Sequence, residues 1–197
     1  MSDAPDWGNF WLKLDELLGE SERACVLVCG ATIESGVADL LRVYLTVQSG
    51  SRTKRPLKTT LKDIDWFIAY EGNPAPPLAS IVVQARFLRL VGVLDDNTAA
   101  AIRAVARIRN RFAHRERPEP LSAGEVKDIR NLLPKDVLEK VPNVLAEVSE
   151  DIQLDGRVVT AARANFATTL ILLAGVLWHA VERFISQSSD HQGGRPT

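Results

Sequence analysis

Apolar residues recur at helical spacing along nearly the whole chain, and no alternating apolar–polar run is long enough to predict a strand. Phe10, Trp11, Leu14, Leu17 and Leu18 form one stripe of a short helix over Trp7–Leu18, with Gly19 as its stop. A long helix follows over Ser21–Val47, with Ser21 as its cap. Residues 49–58 read as a polar, basic loop, and a weak helix over Leu61–Tyr70 ends at the prolines of "EGNPAPPL". Residues 79–93 read as another helix. The segment "LDDNT" then supplies a turn and caps for a helix over Asn97–Ala113. Residues 116–156 are punctuated by prolines and hold short amphipathic pieces at Glu125–Leu133 and Lys135–Lys140. A second long helix is expected over Arg157–Gln187.

Long apolar helices joined by breaks predict an all-α fold, an up-and-down helical bundle. The expectation is a single helical domain over 1–187 with an insert at 116–156, and a disordered tail at 188–197. The two long stripes are each too extensive to be covered by anything else in the chain, so the helix at Arg157–Gln187 is expected to pack along Ser21–Val47.

Composition changes this picture only locally. A chain of 197 residues, 46% hydrophobic, buries one ordinary core. Its net charge of −1 gives no global attraction to nucleic acid or membrane, so such a partner must be met by a local patch. Cys25 and Cys29 stack on one helix face without histidine or further cysteine neighbours, which reads as buried thiols rather than metal ligands. The start, "MSDAPDWGNFW", lacks the basic and apolar regions of a signal peptide. The uncharged stretch from Asn165 to Ala180 is shorter than the about 20 residues a bilayer requires, and reads as a core helix. The expected location is the cytoplasm, with no membrane partner.

The chemistry gathers in "RIRNRFAHRER", residues 107–117. On a helix, Ile102, Val105, Ala106, Phe112 and Ala113 share an arc with Arg109 near its middle, while Arg103, Arg107 and Arg111 lie opposite. A guanidinium does not shed its charge to enter a core, so Arg109 needs a carboxylate, an interface or a bound anion. Glu34, at the edge of the stripe of Ile33, Val37, Leu40, Leu41 and Tyr44, is a candidate partner. His114 falls at the helix end, where a favourable dipole contact is one explanation for it. Beside Arg109 and Asn110 it also completes a set able to exchange protons and neutralise a phosphate without a metal or cofactor.

The segment "RNRFAH" resembles the signature of the HEPN superfamily, an arginine followed at four to six residues by a histidine, often with a polar residue after the arginine. Those positions are Arg109, Asn110 and His114 here. The wider layout is similar to the mannitol-operon repressor branch of that fold, through "ERACVLVCGATIESGVADLLRVYL", "ASIVVQARFLRLVGVLDDNTAAAIRAVARIRNRFAH" and a closing long helix. The resemblance implies a helical bundle that forms a homodimer, with the two motifs facing one cleft. Active members of the superfamily are metal-independent endoribonucleases, frequently in toxin–antitoxin or phage-defence systems. Arg109 and His114 would then be catalytic and Asn110 would orient them. Arg107, Arg111 and Arg115, together with Arg103 and Arg117, would hold the RNA backbone.

The alternative is a non-catalytic regulator of transcription that acts through protein partners, as the repressor branch implies. No helix-turn-helix with a basic recognition helix is present to support direct DNA binding. An antitoxin or another regulatory protein is the partner these readings imply.

Overall fold

Ser21 starts the first long helix as its sequence position predicts. Its hydroxyl accepts from the Ala24 amide at 3.2 Å, satisfying one of the donors that a helix start leaves open. The computed structural model describes residues 18–52, 57–68, 76–139 and 147–192. Among these are seven helices and one hairpin: α1 (Glu22–Arg52), α2 (Leu57–Ile68), α3 (Ile81–Leu90), α4 (Asp96–His114), α5 (Ala123–Asn131), α6 (Lys135–Glu139), β1 (Ile152–Leu154), β2 (Arg157–Val159) and α7 (Ala161–Gln192). The chain is mostly helical. The short helix expected over Trp7–Leu18 lies outside the described residues except for Leu18, which is buried.

α1 and α7 form the centre of the molecule. They run in the same direction: Arg163 reaches the backbone of Leu18 and Glu20, Leu177 sits over Gly36, and the Tyr44 and Phe184 rings lie 5.3 Å apart. Val26, Ile33, Val37, Leu40 and Leu41 from α1 meet Phe166, Leu170 and Leu173 from α7 in the core. α4 crosses α1 in the opposite sense and adds Ile102, Val105 and Ile108, and α3 adds Leu88. Both α1 and α7 are long and apolar enough to cross a membrane by length and composition, and most of the apolar stretch of α7 is buried within the protein.

Several boundaries differ from the expectation. α1 continues through residues 49–52, and 57–58 already belong to α2, so the described residues of the expected basic loop are helical, while 53–56 lie outside the described residues. Glycine and serine only weaken a helix, and the first proline of that stretch is Pro56. Residues 188–192, expected in a disordered tail, extend α7, while 193–197 lie outside the described residues.

The larger correction concerns the start of the last helix. Residues 157–159 are a strand, and the helix begins only at Ala161. β1 and β2 pair antiparallel with Ile152 opposite Val159 and Leu154 opposite Arg157. Asp155 and Gly156 make the two-residue turn with φ of 48° and 76°. That left-handed pair is what an Asp-Gly hairpin requires, because it matches the twist of the strands it joins. Thr160 then caps α7, its hydroxyl accepting from the Arg163 amide at 3.3 Å.

The described parts of the proline-punctuated insert, 116–139 and 147–156, are folded into the body. Ser122 and Glu125 form a reciprocal capping box at the start of α5, and Val126 and Ile129 are buried. The Asn165 side chain on α7 accepts from the Val148 amide at 2.8 Å and donates to the Val148 carbonyl at 2.7 Å, holding the segment before the hairpin.

Candidate functional site

α4 begins where "LDDNT" predicts. The Asp95 carboxylate accepts from the Thr98 amide at 2.7 Å and from its hydroxyl at 2.9 Å. From that start, helical phase sends Ile102, Val105, Ala106, Ile108 and Phe112 into the core and brings Arg109 against α1.

Glycine at position 30 makes room for it. A Cβ on Gly30 would stand 2.6 Å from Arg109 Cγ and 2.9 Å from Arg109 Cβ, closer than real side chains approach. The stem of Arg109 therefore lies on bare backbone. Its guanidinium emerges at the edge of the apolar arc instead of ending in the middle. Nη2 reaches Glu34 Oε2 at 3.3 Å, and Nη1 donates to Asn110 Oδ1 at 3.1 Å. The two partners of the ion pair are 36% and 39% exposed, so water and solutes reach both.

Glu34 is thus the carboxylate the sequence nominated, and Asn110 the neighbour that steadies the guanidinium. Adjacent residues on a helix do not ordinarily face each other; the length of the arginine makes this contact possible. His114 is the last residue of α4 and is exposed, as are Arg107, Asn110, Arg115 and Arg117. Arg103 is half-buried. Arg115 stands 3.7 Å from Glu119 in a solvated pair.

Arg111 departs from the expected water-facing rim. Its side chain is only 16% exposed, and both terminal nitrogens bind Glu125, at 2.7 and 3.0 Å. Glu125 arrives from the capping box of α5, which the helical phase of α4 alone does not reveal. The Arg111 guanidinium, through that fork-like pair, holds the Glu125 carboxyl below the ordinary carboxylate range, with help from the Ser122 amide. A guanidinium engaged in this way braces α4 against α5 and is not free to meet a nucleic-acid backbone.

Two further residues of this end of the molecule escaped sequence reasoning. Arg23 on α1 donates to the carbonyls of Ala113, Arg115 and Glu116 at 3.3–3.5 Å. Glu22 accepts from the Leu121 amide at 2.9 Å. The signal was present only as spacing: Arg23, Gly30 and Glu34 fall on one face of α1, separated by seven and four residues. Their common partner is identified by the tertiary arrangement.

Cys25 and Cys29 are both buried. The hydrogen bond between them lowers the Cys25 thiol, assisted by Arg163, and raises Cys29 together with burial. Among the described residues no cluster of three or more His, Cys, Asp or Glu could hold a metal ion. No family model matches the chain, and no curated protein or solved structure matches it significantly.

Gly30→Ala tests the close approach. Alanine gains roughly 1 kcal/mol over glycine in a helix interior. The overlap with Arg109 costs about 1–3 kcal/mol, because its near end cannot swing away. A net loss is expected in thermal unfolding, and a more stable variant would contradict the packing.

The Arg111–Glu125 pair gives a pH prediction. The folded carboxyl titrates below its unfolded value of about 4.3, so the pair stabilises the fold above that pH and loses this effect as pH falls through the folded value. Glu125→Gln should cost roughly 1–3 kcal/mol at pH 7. Urea denaturation of wild type and variant should converge at strongly acidic pH.

Proposed function

We propose that the chain is a metal-independent endoribonuclease of the HEPN type, working as a symmetric homodimer in the cytoplasm. The observation that carries this reading is the solvent-facing end of α4. An arginine steadied by Glu34 and Asn110 lies one and a half turns from an exposed histidine at the helix terminus. Arginine offers a phosphate two parallel donors, and histidine exchanges protons near neutral pH.

In the reaction, His114 of one protomer removes the proton from the RNA 2′-hydroxyl. The 2′-oxygen attacks the neighbouring phosphorus, and the bond to the 5′-oxygen breaks. The departing oxygen takes up a proton from the second His114 of the dimer, leaving a 2′,3′-cyclic phosphate and a 5′-hydroxyl. Arg109 balances the charge that gathers on the phosphate oxygens as the phosphorus becomes five-coordinate. A two-fold cleft brings both copies of Arg109 and His114 to one strand, where the phosphate offsets their mutual repulsion. Arg107 and Arg115, both exposed, are the cations placed to follow the backbone; Arg111 is committed to Glu125.

His114→Ala should lower cleavage of single-stranded RNA at least 100-fold, the order of a lost acid–base group, while leaving thermal unfolding unchanged because the side chain is exposed. EDTA should have no effect, and the products should carry cyclic phosphate ends. Activity that survives the substitution, or vanishes with the chelator, overturns the mechanism.

Light scattering at micromolar concentration should give the mass of a dimer. A monomer under the conditions that support cleavage would remove the shared cleft.

A further inference from the structure

α4 ends without the device that closes α3. At the end of α3 the chain turns through Gly92 with φ of 76°, and the amides of Gly92 and Val93 return to the carbonyls of Arg89 and Leu88. At the end of α4 there is no such turn. Arg115 leaves the helix in an extended conformation, φ −100° and ψ 133°, and residues 114–117 are all exposed. The final carbonyls of an α-helix have no partner within it, and an end left in that state frays from its last residue inward. Here the last residue is His114.

The missing partner comes from α1. The Arg23 guanidinium donates from Nη2 to the Ala113 carbonyl at 3.4 Å, and from Nη1 to the carbonyls of Arg115 at 3.3 Å and Glu116 at 3.5 Å. These acceptors bracket His114 on both sides along the chain. Glu22, the preceding residue, fixes the Leu121 amide further along the same segment. Arg23 is exposed and its bonds are long, so their contribution to global stability is small. They act locally, on the carbonyls either side of the residue that carries the imidazole.

We propose that Arg23 is a positioning residue for His114, closing the end of α4 from outside so that the histidine keeps one orientation towards the phosphate; this rests on the ribonuclease reading above. α1 then serves as the template for the site. One face of it presents Arg23 to the helix end, Gly30 to the stem of Arg109 and Glu34 to its guanidinium. The forked guanidinium suits several carbonyls at once, whereas a lysine ammonium is a single point and replaces it only in part.

The test compares Arg23→Ala and Arg23→Lys with wild type on single-stranded RNA. Arg23→Ala should lower kcat by roughly 10–100-fold, as a displacement of order 1 Å does. KM and the unfolding temperature should stay unchanged, and Arg23→Lys should recover part of the loss. A rise in KM with kcat intact would assign Arg23 to substrate binding and overturn the proposal. The second arm needs no activity. With 13C-labelled histidine, the ring signal that disappears in His114→Ala should narrow towards that of a mobile side chain in Arg23→Ala, while the His179 signal stays as in wild type. An unaltered His114 signal in Arg23→Ala overturns the positioning role. Absence of cleavage by wild type would defeat the ribonuclease reading alone, with the spectroscopic arm still deciding whether Arg23 holds His114.

Discussion

The apolar stripe of α1 has to be covered on more than one side, and the rest of the molecule follows from how that is done. Val26, Ile33, Val37, Leu40 and Leu41 are almost completely buried. α7 covers them along their whole length, running in the same direction, and α4 crosses their flank in the opposite sense. Burial of large aliphatic side chains contributes about 1.5–3 kcal/mol each, far more than any single polar contact at the surface of this protein. The polar groups of the site are therefore placed by the packing. Arg109 reaches Glu34 because α4 lies against Gly30, and it lies there because its own apolar face is being covered.

Arginines then fix the ends of elements, largely through backbone carbonyls. Arg163, itself buried, donates to Leu18 and Glu20 at 2.8 Å each and ties the chain before α1 to the start of α7. Arg157 on β2 donates to the Gly19 carbonyl beside them. Arg23 does the same for the end of α4. Carbonyls at loop and helix ends need donors, and a guanidinium supplies several from one side chain. Arg111 is the exception, spent on a carboxylate and largely enclosed. Three of these four arginines thus serve backbone carbonyls and one a carboxylate, and residue type alone does not distinguish them.

This division narrows what the end of α4 offers to a ligand. The cations of this end that packing leaves exposed are Arg107, Arg115 and Arg117, with Arg115 in a solvated pair with Glu119 and Arg109 shared between Glu34 and solvent. The site is consequently small, one guanidinium and one imidazole per chain with an amide between them. A second copy of the chain would double it.

Helical period, caps and breaks were legible along the chain because each is a property of a few neighbouring residues. Ser21, the segment "LDDNT" and the apolar stripes marked α1, α4 and the body of α7 in advance. The pairing of Arg109 with Glu34 was also readable, since an arginine on an apolar arc demands a partner and few acidic residues flank the facing stripe. The hairpin at Asp155–Gly156 was missed, although an Asp-Gly pair stands between Leu154 and Val158. Its strands are three residues long, too short for alternation to register, and the helical pattern behind it drew Arg157 in. Other features had no local signal. That Arg111 meets Glu125, that Gly30 receives the stem of Arg109, and that Arg23 closes the helix ending at His114 depend on how α1, α4 and α5 pack. The sequence by itself determined where the principal helices lie and which residues carry charge at the end of α4. Only the tertiary structure decided which of those charges are spent on the fold and which face solvent, because that follows from contacts between residues far apart in the chain.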